Sequence, residues 1–244
     1  MFLPVPSQSA EYELPPAGGP YVAICTRFID LGTQFSEHYN KTAHKVMLTW
    51  ELADMADTQG RPFIISKRYT FSMHEKAQMR KDLEAWRGKP FVATDFGPGG
   101  FNTAKLLGKA CQMIIAHSEN GDNKYANVQT IMALGRGMTA PDPVSTPEYL
   151  SLSPDEFNRV IYDNLSDGLK RVICASPQAK ALGLTAPAGS SPGYQQAQRV
   201  TQQRNSTYQR AEVQLAPPQQ QHAVANGAPR QAAHTDEMDD EIPF

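Results

Sequence analysis

Three stretches near the start of the chain carry β-type patterns. Residues 21–31, YVAICTRFIDL, are rich in Val, Ile and Phe, and Gly32 punctuates them. In 44–52, HKVMLTWEL, the residues Val46, Leu48, Trp50 and Leu52 share one face, while Lys45, Met47, Thr49 and Glu51 share the other. Residues 57–60, DTQG, signal a turn. Residues 63–71, FIISKRYTF, form a third alternating run: Phe63, Ile65, Lys67, Tyr69 and Phe71 lie on one side, Ile64, Ser66, Arg68 and Thr70 on the other. The period then changes. Ser72 and Glu75 have the spacing of a capping box, and Ala77, Leu83 and Trp86 lie roughly on one helical stripe, with Met79 and Arg80 beside it. Gly88 and Pro90 end the helix. Residues 95–100, DFGPGG, read as a loop, and residues 106–117 return to a β-type run that bends at Gly108. Asn120-Gly121-Asp122-Asn123 is a hairpin turn, and residues 125–134 make the last strand.

The expected order is three strands, one helix, two strands. That is the order of a five-stranded OB-fold barrel with a helix between strands 3 and 4. The expected fold class is mainly β: an N-terminal arm over 1–20, the OB-fold over 21–140, and a partly helical extension packed on the barrel over 141–182. In the extension, Ser153-Pro154-Asp155-Glu156 resembles a helix start, and Phe157, Ile161, Leu165, Leu169 and Ile173 form an apolar stripe with Gly168 as a break. From about residue 183 the composition shifts to Gln, Ala, Pro, Ser and Arg. Eleven glutamines fall between Tyr194 and Ala233. Such a segment cannot bury enough apolar surface to offset its ordering entropy, so residues 183–235 are expected to be a disordered linker.

Charge sharpens this division. The formal net charge is −2, yet residues 21–137 hold fifteen Lys/Arg against eleven Asp/Glu. Residues 236–241 hold five acids and no base. A basic domain with an acidic tail suits a nucleic-acid partner. Cys25, Cys111 and Cys174 are odd in number, widely spaced and without a CxxC, so neither a disulfide framework nor a zinc site is indicated. The proline-rich N-terminus lacks the basic and apolar regions of a signal peptide, and no apolar run reaches the roughly 18 residues of a membrane span. A cytoplasmic location away from membranes is expected. No Walker-type phosphate loop, HExxH or paired metal spacing occurs. The chain is therefore expected to be a binding protein without cofactor or metal rather than an enzyme.

Unpaired DNA offers a charged backbone and free base faces, which cations and exposed rings together can hold. Two stretches interleave those types: Lys67, Arg68 and Tyr69 on the third strand, opposite Lys45 and Trp50 on the second, and Arg87 with Lys89 at the end of the helix. Lys105, near Gly108, is a further candidate phosphate contact. Trp50 alternates with Val46 and Leu48, and Trp86 closes a helical stripe, so a core role competes with base stacking for both rings.

The last residues, Asp236-Glu237-Met238-Asp239-Asp240-Glu241-Ile242-Pro243-Phe244, place acids before an apolar Ile-Pro-Phe. A ring beside a carboxylate suits a small apolar pocket rimmed by Arg or Lys. This tip resembles the C-terminal peptide of bacterial single-stranded DNA-binding proteins, with Glu241 where an aspartate is more usual. The stretches IDLGTQ, TWEL, RPFIISKRYTFSMHEKAQMRKDLEAWRGKPF and LLGKACQMII are similar to a phage- or prophage-encoded group of single-stranded DNA-binding proteins, over about residues 21–175. The resemblance implies that Asp239, Asp240, Glu241, Ile242, Pro243 and Phe244 recruit replication, recombination and repair proteins. It also implies a coat on single-stranded DNA with little sequence preference. Two alternatives stay open: an adaptor that carries the tip but binds no DNA, and a recombination or annealing protein. Barrels of this type occur as monomers, dimers and tetramers, so a homo-oligomer is compatible with either.

Overall fold

The computed structural model describes residues 13–37, 40–97, 100–121 and 123–187. Residues 188–244, which hold most of the linker and the whole acidic tip, lie outside the described residues. Six strands form one sheet: β1 (Gly18–Ser36), β2 (Lys41–Ala56), β3 (Pro62–Thr70), β4 (Ala110–Asn120), β5 (Asn123–Met132) and β6 (Glu148–Leu150). Helix α1 (Gln78–Arg87) lies between β3 and β4. Three short helices follow β6: α2 (Arg159–Asp163), α3 (Asp167–Cys174) and α4 (Pro177–Ala181).

The hydrogen-bonded order is β3-β2-β1-β4-β5, antiparallel throughout, with β6 added parallel to β1. The sheet is not closed into a hydrogen-bonded barrel: among the described residues β3 and β5 are its two edges. Helix α1 packs against both. All five expected strands and the helix are present in the expected order. β1 is longer than its apolar run and carries straight through Gly32, where φ is +70°. Register shifts between Cys25 and Arg27 and between Asp30 and Gly32 bend it, so its first part pairs with β4 and its middle with β6.

The bends also sort its side chains. Ala23, Cys25 and Phe28 point inward with Val46, Leu48, Trp50 and Leu52 of β2 and with Met79, Leu83 and Trp86 of α1. Ile29 and Leu31 point outward, into a second core with Met47, Leu150, Leu152, Tyr162, Leu165 and Ile173. The extension thus buries the outward face of β1 and β2.

Local expectations fail where side chains had other partners. α1 begins at Gln78, not at Ser72. Its N-cap is Ala77, and the Ser72 hydroxyl accepts the N–H of His74 instead. The expected end holds, with Gly88 left-handed at φ +72°. Leu106 lies in a 3₁₀ turn (Thr103–Leu106) rather than in β4. The extension has no helix at Ser153. Its helices are capped by Asn158, Ser166 and Ser176, and Gly168 lies inside α3 instead of breaking it. Packing also continues past residue 182: Leu184 is buried in the second core. No helix among the described residues is long and apolar enough to cross a membrane.

Candidate nucleic-acid interface

Strand β3 presents two faces with different fates. Phe63, Ile65 and Tyr69 turn inward and are buried, while Ile64, Ser66, Arg68 and Thr70 turn outward and are exposed. Lys67 shares the inward face. Its ammonium reaches Asp82 Oδ2 of α1 at 2.7 Å, with the Tyr69 ring centroid 5.5 Å away. The Tyr69 hydroxyl donates to the same carboxylate oxygen at 2.9 Å, and Gln78 donates to the other oxygen at 2.6 Å. Burial, then the Asp82 charge, raises the Tyr69 pKa well above that of an ordinary phenol. Lys67 and Tyr69 therefore clamp the helix to the sheet, with Tyr69 buried and Lys67 half-buried.

Trp50 and Arg87 also have partners within the fold. Trp50 is 0% exposed and tilts against Trp86 at 5.9 Å between ring centroids, so neither face is open to a base. The Arg87 guanidinium forms a two-pronged pair with Asp95 at 2.9 and 3.0 Å and sits 4.5 Å from the Phe91 ring centroid. The Arg87 hydrogen bonds, with the Val92 N–H second, pull the Asp95 carboxyl down to about 2. Arg87 thus pins the loop that follows the helix.

The remaining candidates face solvent at least in part. Arg68 is exposed on β3, opposite Met47. Lys45 on β2 is half-buried, and its ammonium donates to Thr70 Oγ1 at 2.7 Å. Partial burial lowers its pKa. Beside them stands Phe71, 41% exposed, which the alternation had assigned to the interior face. β3 ends at Thr70, so Phe71 leaves the strand. Its N–H donates to the His44 carbonyl, and its ring lies 6.1 Å from Phe28 and 5.4 Å from His44. Lys45, Arg68 and Thr70 thus form a short polar stripe along the outward side of β3, and Phe71 stands at its end, partly exposed, with its ring turned to the inward residue Phe28. Lys89 and Lys105 are exposed but lie elsewhere, after α1 and before β4. Asp239, Asp240, Glu241, Ile242, Pro243 and Phe244 lie outside the described residues.

The stripe is bounded by the extension. Two carboxylates of the sheet, Glu51 on the outward face of β2 and Asp30 in β1, anchor that segment by accepting its backbone N–H groups. Glu51 accepts from Val144 at 2.6 Å and from Ser145 at 3.0 Å. Asp30 accepts from Leu152 at 3.3 Å, from Gly32 at 2.8 Å and from His44 Nε2 at 2.6 Å. Both acids are buried.

Comparison with protein-family models and with curated proteins finds no match for this chain.

Proposed function

We propose that this chain is a single-stranded DNA-binding protein with little sequence preference, acting in replication or recombination, and that residues 236–244 recruit partner proteins. The observation that carries the reading is the surface where exposed Arg68 on β3 and half-buried Lys45 on β2 stand beside the partly exposed ring of Phe71. In OB-folds the surface of strands 2 and 3 commonly holds oligonucleotides. The strand order, the bent β1 shared between β2 and β4, and the helix between β3 and β4 support an OB-type barrel left open between β3 and β5. Arg68 and Lys45 would meet phosphates, and Phe71 would stack on a base.

Titration of labelled oligo-dT with the full chain tests this. Binding at low salt should weaken steeply as NaCl is raised, because each phosphate contact releases counterions. Phe71→Ala should weaken binding about fivefold or more, the scale of one lost base stack. Arg68→Ala should both weaken binding and flatten the salt dependence. An absence of binding in dilute buffer sinks the proposal. Deletion of residues 236–244 should leave DNA affinity equal or tighter, since an acidic tip competes with DNA for cations, and should abolish capture of tip-recognising proteins.

One observation favours a second reading. The extension covers the outward face of β1 and β2, narrowing the surface left for DNA. An adaptor that displays the acidic tip and binds no DNA fits that covering. The same titration separates the two.

A further inference from the structure

A second cationic surface lies where α1 ends, β4 begins and β5 ends. Three contacts bring these segments together. The Trp86 indole N–H donates to the carbonyl of Ala110, the first residue of β4, at 2.7 Å. Gly88 sits so close to Ala133 that an added Cβ would stand 3.5 Å from the Ala133 methyl group. Gly135 lies against Gln112 of β4, and the chain turns there, with the Met138 N–H donating to the Gly135 carbonyl at 3.0 Å.

Each contact is flanked by an exposed cation. Lys89 follows Gly88, Arg136 follows Gly135, Lys109 precedes Ala110, and Lys105 stands on the 3₁₀ turn just before. Lys89, Lys105 and Arg136 form no ion pair among the described residues. The sequence holds no acid from 96 to 118 or from 123 to 141. The nearby acids are spoken for: Asp95 is bound two-pronged by Arg87, and Glu84 accepts from Arg80 and from the Phe91 N–H. Lys89, Lys105 and Arg136, from three separate segments, thus stand exposed with Asp95, already paired with Arg87, as the acid acting on Lys89.

We propose that Lys89, Lys105 and Arg136 form a second phosphate-binding surface, over which a DNA strand longer than the β3 stripe continues. Cations spread over three segments suit a linear polyanion, which meets them one phosphate at a time. This rests on the function proposed above. It adds that the protein contacts long strands at two separate places and short ones at one.

The experiment compares the full chain with the double variant Lys89→Glu/Arg136→Glu. Both positions are exposed, and an unchanged melting temperature checks that folding is intact. Oligo-dT of increasing length is titrated at several NaCl concentrations. For strands of about 6 nucleotides, within the range one OB-type surface covers, the variant should bind like wild type. For strands several times longer it should bind at least tenfold more weakly, with a log–log salt slope shallower by about 1.4, the counterion release of two single-strand contacts. Equal loss at every length, or no loss at any, overturns the second surface while leaving DNA binding standing. Failure of the wild-type chain to bind any length overturns both. If the variant keeps full affinity for long strands but no longer binds a synthetic peptide of residues 236–244, the surface is a dock for the acidic tip, and the DNA assignment falls.

Discussion

The Nε2 of His44 lies 2.6 Å from Oδ1 of Asp30, inside a cluster that joins β1, β2 and the extension. The hydrogen bond to Asp30 raises the His44 pKa above its ordinary 6.5, outweighing the opposite effect of partial burial. A pKa raised in the folded state makes a contribution to stability that is complete below 6.5. It is lost as pH rises through the higher folded value. Wild-type melting temperature should therefore decline across that window. His44→Ala should remove this component, and melts at closely spaced pH values will show it. Asp30→Ala removes the shared acceptor and should cost about 2 kcal/mol or more, because the Gly32 and Leu152 N–H groups lose their partner.

Lys67 and Arg68 are neighbours in sequence with opposite expected phenotypes. Asp82→Ala strands the Lys67 ammonium and the Tyr69 hydroxyl beneath α1. It should lower stability by about 2 kcal/mol, since a partly buried charge is left uncompensated. Arg68→Ala should leave the melting temperature unchanged and weaken oligonucleotide binding. Paired thermal melts and DNA titrations distinguish the two roles.

Both tryptophans of the chain are buried, at 0% and 3% exposure. Emission should be blue-shifted, and oligo-dT should quench it little even at saturation, because no indole face is open for stacking. Strong quenching would contradict the core placement of Trp50. Trp50→Ala should cost about 3–5 kcal/mol, the usual range for emptying such a site.

Gly32 is needed twice over. Its φ is +70°, and a Cβ there would run into the Ser176 side chain that caps α4. Gly32→Ala should destabilise the chain by about 1 kcal/mol or more, through backbone strain and displacement of α4. Hydrogen exchange should quicken first in residues 176–184, ahead of β2.

Much of the element order was legible because period-two alternation is a local property. Val46, Leu48, Trp50 and Leu52 had to share a face whatever else the chain did, and all four are buried. Gly88 could end a helix because only the backbone conformation of that residue is at stake. Phe71 kept the side that alternation gave it, against Phe28, yet it is 41% exposed because the strand ends one residue earlier.

What the amino-acid order determined by itself was therefore which side chains lie on the same face of each strand, and where several elements stop. What only the tertiary structure decided was which face becomes surface. Alternation puts Lys67 beside Tyr69, but the carboxylate that claims both comes from Asp82, on the following helix. Asp30 and Glu51 look solvated until backbone N–H groups from residues 144, 145 and 152 arrive to occupy them. A charge is paired or free according to what stands within a few ångströms, and that neighbour can be a hundred residues away along the chain.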